Sequence, residues 1–196
     1  MARSPTLTPE ARKAALVAAA RRIFSRDGFH RAGVAQICDE AGVARGTFYN
    51  YFESKRTIFG AVVESMMAEV LSVVVPIDVG RPIPGQVVAN VERLVRAVAV
   101  DDVAKVLFGE AVGIDAEGDA ALREFYGFAL GRIEAALLTG QALGVVRAGE
   151  TGLTARCLLG LLKEPVVQAA LAGEALDVEG LVAAVGRVLR GGILVG

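Results

Sequence analysis

Polar side chains that can contact nucleotides are concentrated between positions 36 and 55 of the 196-residue chain. Arginine prefers the O6 and N7 atoms of guanine, asparagine prefers adenine, and a threonine methyl group can contact thymine. Arg45, Thr47 and Asn50 therefore form a candidate base-reading face. The complete set of candidate DNA-binding residues is Gln36, Arg45, Gly46, Thr47, Tyr49, Asn50, Tyr51 and Lys55.

The apolar residues around this set predict the elements that position it. Within 34–41 they recur at i, i+3, i+4 and i+7, which indicates one face of a short helix. Gly42 is expected to end that helix in a left-handed cap. A second short helix is predicted to begin near Ala44, with Phe48 and Phe52 pointing inward. Residues 34–53 thus have the layout of a helix-turn-helix.

Gly46 and Tyr51 each have two interpretations, and Lys55 is predicted at an electrostatically unfavourable position. Gly46 inside a very short helix indicates either close approach of DNA or tight packing within the protein. Tyr51 is either a DNA contact or a ring packed against its own domain. Lys55 is predicted at the first position of the next helix, after a Ser54 cap. A cation is unfavourable there, which suggests that a DNA phosphate balances it together with backbone N–H groups and the Tyr49 hydroxyl.

The stretch AGVARGTFYNYFESKRTIF, residues 41–59, resembles the tetracycline-repressor (TetR) family of bacterial regulators. The positions in register with the family pattern are Ala41, Gly42, Val43, Gly46, Thr47, Phe48, Tyr49, Phe52, Ser54, Lys55, Ile58 and Phe59. Ala44 and Gly33 depart from it, because the family has hydroxyl caps there and neither residue supplies a side-chain oxygen. The resemblance implies that Thr47, Tyr49 and Lys55 contact phosphates and that the protein is a dimer.

Charge and composition limit the class of protein. Residues 1–60 carry a net charge of +5 and residues 61–196 carry −6, which matches the total of −1. A basic amino-terminal part is typical of a surface that approaches phosphates. The longest uncharged stretch, 135–146, is too short for a membrane helix, and the amino end lacks a signal-peptide pattern, so a cytoplasmic location is expected.

Enzymatic and metal chemistry are not expected. The two cysteines are far apart without CxxC spacing, and His30 is the one histidine in the sequence, so no metal site and no cofactor are predicted. Residues 61–196 contain no histidine, so they have no Ser-His or Cys-His pair, and they contain no glycine-rich phosphate-binding loop. The protein is therefore not predicted to be an enzyme.

The fold is predicted to be all-α. Thr8, Pro9 and Glu10 start a first helix that ends at Gly28, and it supports a three-helix DNA-binding domain at 8–56. A helical bundle for ligand binding and dimerisation is predicted at 57–196. A loop is expected at 76–85, followed by helices near 86–100, 102–112, 117–139, 153–172 and 178–190.

Two further sites are predicted in the bundle, each with ordinary core as the alternative. A pocket for an apolar ligand is predicted from Met66, Met67, Phe108, Phe125, Tyr126 and Phe128. A dimer interface of four helices is predicted from Leu158, Leu161, Leu162, Leu181, Val185, Val188 and Leu189.

The sequence thus predicts a homodimeric, TetR-type transcriptional repressor on a near-palindromic double-stranded DNA operator, released by a small apolar effector. The alternative is a DNA-binding regulator or architectural protein without a ligand. The sequence does not identify the effector, the operator or the regulated genes.

Overall fold

The computed structural model describes residues 8–100, 106 and 118–195, with the side chains of 118–125, 170 and 171 excepted. Within these residues the fold is helical, as predicted, and the extended pairing seen is one isolated antiparallel bridge between Val146 and Leu194. No described helix is long and apolar enough to span a bilayer.

Eight α-helices are described, numbered here in chain order. They are α1 Pro9–Arg31, α2 Val34–Ala41, α3 Arg45–Tyr49, α4 Lys55–Ser72, α5 Ile83–Val98, α6 Gly118–Ala142, α7 Thr151–Ala172 and α8 Val178–Val188. A short π-helical turn, Leu189–Ile193, follows α8 directly. The helix predicted at 102–112 lies outside the described residues except for Val106, which is helical and buried.

The chain separates into two compact units, Met1–Met66 and Met67–Gly196, called here the head and the body. Helix α4 contributes its first two thirds to the head and its last residues to the body. Phe59 of α4 packs edge-on against Phe24 of α1, with ring centroids 5.3 Å apart. The predicted division at 56/57 stays a prediction.

Caps and glycines set the ends of the head helices. The Thr8 hydroxyl accepts a hydrogen bond from the Ala11 N–H, as the predicted cap requires. Gly28 has φ 77° and interrupts α1 one turn before its end, a conformation that glycine adopts without steric cost. Gly42, with φ 65° and ψ 35°, closes α2 in the left-handed cap predicted from sequence.

The head has a core of large apolar side chains. Leu16, Ile37, Phe48 and Ile58 come from four different helices and have no exposed surface. Phe29 adds a third ring to Phe24 and Phe59, lying 4.8 Å from Phe59. Each helix is therefore anchored to the others by at least one fully buried residue.

In the body, α5 packs against α8 and α6 packs against α7. A cluster of buried residues joins α5, α8 and the carboxyl end, and it consists of Val95, Leu181, Val185, Leu189 and Leu194. The Val146–Leu194 bridge ties the α6–α7 connection to the same end of the chain.

The expected loop at 76–85 is too long, because α5 begins at Ile83 and includes Pro84 and Gly85. Proline is tolerated in the first helical turn, where the backbone N–H groups have no partner within the helix. Asn90 holds the start of the loop, since its side chain accepts from the Val75 N–H at 2.9 Å and donates to the Val75 carbonyl at 2.7 Å.

Candidate nucleic-acid interface and ligand cavity

Helix α3 is anchored to the rest of the head by one buried residue. Phe48 is fully buried and contacts the ring of Phe52, 5.9 Å away between centroids. Arg45, Gly46 and Tyr49 on the other faces are exposed, and Tyr49 exposes 57% of its surface. The head therefore holds a short helix whose polar face is open to a partner.

The other predicted contact residues lie at the edges of this face. Asn50, directly after α3, is exposed, whereas Thr47 and Tyr51 are half-buried. The structure thus brings Arg45, Asn50 and Tyr49 into one accessible region, with Thr47 beside them. Tyr51 has the partly packed position given as its alternative.

Among the residues that the structure describes, none packs closely enough against Gly46 to require a glycine. A Cβ atom built at Gly46 meets no heavy atom within 4 Å beyond the helix's own backbone, so tight internal packing does not explain the glycine. The other interpretation, close approach of a partner's backbone, stays a prediction and is now the better supported of the two.

The start of α3 lacks a side-chain cap. Ala44 has the extended conformation of a capping residue, with φ −71° and ψ 151°, but it supplies no oxygen to the first-turn N–H groups. At α2, Gly33 also gives no side-chain cap. Both absences agree with the two departures noted in the sequence.

Gln36 is held at the start of α2. Its side-chain oxygen accepts a hydrogen bond from the Gly33 N–H at 2.7 Å, and its side-chain nitrogen donates to Asp27 at 3.4 Å. This is the half of a capping box that glycine permits. The Gln36 amide is therefore engaged within the head, and base reading by it would require these bonds to break.

Lys55 is at the first position of α4, as predicted, but its charge is balanced within the protein. The ammonium group donates to the carbonyl oxygens of Phe29, Ala32 and His30, at 2.7, 2.9 and 3.3 Å. It also lies 4.5 Å from the centre of the Phe29 ring. Carbonyl groups at the end of α1 thus already engage the Lys55 ammonium, and a phosphate contact at Lys55 stays a prediction.

Two ionisable groups of the head have shifted pKa values. Burial raises the pKa of Cys38, so its reactive thiolate is disfavoured. A hydrogen bond from Arg26 lowers the pKa of Asp27, although burial opposes this effect. Cys157 in the body, by contrast, is exposed.

The body contains a cavity of about 770 Å³. Its walls are formed by helices α4 to α8 and the carboxyl end, together with the loop after α4. Representative lining residues are Met67, Val70, Leu71, Val87, Val91, Leu94, Ala129, Ile133, Leu158, Leu162 and Ile193. This volume is within the range of small-molecule sites.

Three of the six residues predicted to line the pocket do not line the described cavity. Met67 lines the cavity, but Met66 is fully buried and belongs to the head. Phe128 is 53% exposed, and Tyr126 is half-buried with the Lys163 ammonium 4.8 Å from its ring centre. Phe108 and the side chain of Phe125 lie outside the described residues. Aliphatic rather than aromatic side chains form the described walls.

The predicted dimer stripe is mostly internal. Leu181, Val185 and Leu189 are buried in the body core, with Leu158, Leu161 and Leu162 packed against them, and Val188 alone of the seven is exposed, at 46%. Much of the stripe therefore packs on its own chain, and a dimer interface at these residues stays a prediction. Sequence reasoning also missed the lining role of residues 74–77 and 79, where the valines were an available signal.

Comparison with known proteins agrees with this architecture. A family model described as "Bacterial regulatory proteins, tetR family" matches residues 16–62. The uncharacterized HTH-type transcriptional regulator YvdT of Bacillus subtilis (strain 168) is 36% identical over 56 residues, which are 29% of this chain and 29% of that protein. The chain thus matches less than a third of the length of this curated relative.

Two solved structures share the fold along most of the chain. The transcriptional regulator FadR from Bacillus subtilis, in complex with stearoyl-CoA, has a TM-score of 0.78 at 22% identity and covers 92% of this chain and 98% of its own. TylP, a TetR regulator from Streptomyces fradiae, has a TM-score of 0.75 at 21% identity and covers 96% and 89%. All three proteins are described as regulators, in agreement with the prediction that this chain is not an enzyme. Residues 16–62 therefore form a domain of the kind found in the TetR family of bacterial regulatory proteins.

Proposed function

We propose that this chain is a DNA-binding transcriptional repressor that places α3 in the major groove. The main support for this proposal is an exposed polar face on a helix that the buried Phe48 anchors. The face consists of Arg45, Gly46, Tyr49 and Asn50. Arg45 and Asn50 are the proposed base readers, while Tyr49 and Thr47 contact phosphates. DNA in the cytoplasm is the partner.

Two copies are proposed to bind a near-palindromic operator. Short reading helices of this kind contact half-sites about 34–36 Å apart, one turn of the duplex, so a homodimer fits a two-fold operator. Lys55 stays a candidate phosphate contact, but its three carbonyl bonds favour a role in holding α1 and α4 together. The basic charge of residues 1–60 supports an encounter with DNA at this end.

The cavity is proposed to bind an effector that releases the DNA. Met67, Val70 and Leu71 of α4 line it, so an occupant contacts the same helix that carries Lys55 and Phe59 in the head. B. subtilis FadR, which shares the fold, binds stearoyl-CoA, a ligand with a long apolar group. An effector shifts the protein only as far as it binds one state more tightly than the other.

Selection of bound sequences from a random DNA pool is the direct test. We expect an enriched, two-fold symmetric sequence bound by a dimer. Arg45→Ala and Asn50→Ala should each weaken operator binding about 5- to 150-fold, corresponding to about 1–3 kcal/mol, and should affect random DNA much less. Tyr49→Phe should weaken both about equally.

Arg187→Ala, an exposed arginine on α8, is the control and should change neither affinity. Equal losses on operator and random DNA for the Arg45 and Asn50 variants would show that other residues read the bases. Failure to enrich any sequence would contradict the proposed function.

A further inference from the structure

The cavity lining offers few polar side chains, and most of them are already satisfied. Asn90, Arg132 and Thr139 are the polar ones among the described lining residues. The Asn90 amide is committed to Val75 and also accepts a hydrogen bond from Arg93 at 3.0 Å. The Thr139 hydroxyl donates to the Ala135 carbonyl at 2.8 Å. An occupant therefore finds almost no hydrogen-bonding partner along the walls.

Arg132 differs from the other two polar residues. It lines the cavity and is also exposed, so it lies where the cavity meets solvent. Its guanidinium makes no hydrogen bond or ion pair with the part of the chain that the structure describes. A guanidinium binds carboxylate or phosphate oxygens with two parallel N–H bonds, which a neutral or cationic group cannot match.

We propose that the cavity selects an amphiphile with one hydrocarbon chain and an anionic end, and that Arg132 is the residue that binds the anion. The inference rests on the proposed function and adds the charge and shape of the effector to it. A hydrocarbon chain needs no hydrogen bonds, so it suits walls formed by valine, leucine and isoleucine. The anion is either the carboxylate of a free fatty acid or a phosphate carried by an acyl thioester.

Chain length tests the apolar part. Isothermal titration of the full-length protein with saturated carboxylates of increasing length, each below its micelle concentration, should show about fourfold tighter binding per added methylene, equivalent to about 0.8 kcal/mol. The increase should stop when the cavity is filled. Affinity that is independent of chain length would overturn the proposal.

The head group tests the charged part. Hexadecanoate should bind more tightly than hexadecanol, and hexadecylamine should bind most weakly of the three. Arg132→Gln should weaken hexadecanoate binding about 10- to 100-fold, the loss expected for charge-assisted hydrogen bonds, and leave hexadecanol unchanged. Arg132→Lys should restore part of the loss. Arg156→Gln, an exposed arginine that does not line the cavity, is the matched control.

A parallel titration with hexadecanoyl-CoA distinguishes the two sources of the anion. If Arg132→Gln weakens binding of the free acid, Arg132 binds the carboxylate. If it weakens binding of the thioester, Arg132 binds a phosphate. If hexadecanol binds as tightly as hexadecanoate and Arg132→Gln changes neither affinity, the proposal is wrong. Operator binding, measured on the same variants, is independent of that outcome and reports on the proposed function.

Discussion

The head and the body fill their interiors differently. In the head, Leu16, Ile23, Ile37, Phe48 and Ile58 are buried almost completely and come from all four helices. In the body, the core cluster of five residues lies beside a cavity of about 770 Å³. The head's interior is occupied by its own side chains, whereas the body leaves volume that another molecule can occupy. The same chain therefore combines a fully packed DNA-binding unit with a unit that has room for a ligand.

This difference has an energetic consequence. Side chains that line an empty volume forgo part of their dispersion contacts, so an occupant that restores these contacts stabilises the folded body. The stabilisation grows as RT ln(1 + [L]/Kd), about 2.7 kcal/mol at a ligand concentration of 100 Kd. The head receives no such contribution from a ligand in the cavity and depends on its own packing.

The largest effect is expected where the head is most tightly packed. Phe48→Ala should destabilise the head by about 3–5 kcal/mol, because it removes a fully buried ring that anchors α3. Cys38 is buried in the same core, so its alkylation requires the head to open. We expect Cys38 alkylation to accelerate more than a hundredfold, with operator binding lost.

Cys157 is the internal control for that measurement, because its thiol is exposed and should react equally fast in both proteins. Ligand binding in the body should survive Phe48→Ala. An unchanged rate at Cys38 would show that the head tolerates a void as well as the body does.

Two alanine-to-phenylalanine substitutions, one in each unit, test whether the head and the body differ in available volume. Ala20→Phe in the head forces a ring into a site with no exposed surface and should cost about 1–3 kcal/mol or more. Ala129→Phe on α6 places the same ring beside the cavity and should leave thermal stability nearly unchanged, while ligand affinity falls at least tenfold. Thermal denaturation and calorimetric titration measure the two effects. Equal destabilisation by both changes would mean that the cavity is not available volume.

The smallest predicted effect concerns the missing cap of α3. Ala44 already has capping backbone angles, so Ala44→Ser supplies the absent oxygen without rearrangement and should stabilise the head by about 0.5–2 kcal/mol. Slower alkylation of Cys38 is the measurement. Gly33→Ser is the comparison variant and should gain less, since glycine is already a fair cap and Gln36 satisfies the Gly33 N–H. No gain at Ala44 would indicate that α3 is not limited by its cap.

The sequence predicted the head well because its signals are local. The cap at Thr8, the left-handed turn at Gly42 and the buried ring of Phe48 each depend on neighbours within a few residues. The interaction of Lys55 with the end of α1 could not be predicted in this way, since the partners are more than 20 positions away.

The body was predicted less well because helical periodicity shows which side is apolar but not what covers it. Leu181 and Leu189 have the pattern of an interface, yet they are covered by their own chain. Phe128 has the residue type of a pocket wall but is about 100° around α6 from Ala129, which does line the cavity. Distinguishing these outcomes requires the tertiary arrangement of α5 to α8.

The shared membership of α4 constrains how the protein can be recombined. Ile58, Val62 and Met66 complete the head core, while Met67, Val70 and Leu71 belong to the cavity wall. A hybrid biosensor spliced at the start of α4 would exchange a third of the buried apolar side chains of the head along with the sensor. A junction between Met66 and Met67 would keep the head core residues of α4 in the head and the cavity-lining residues of α4 in the body.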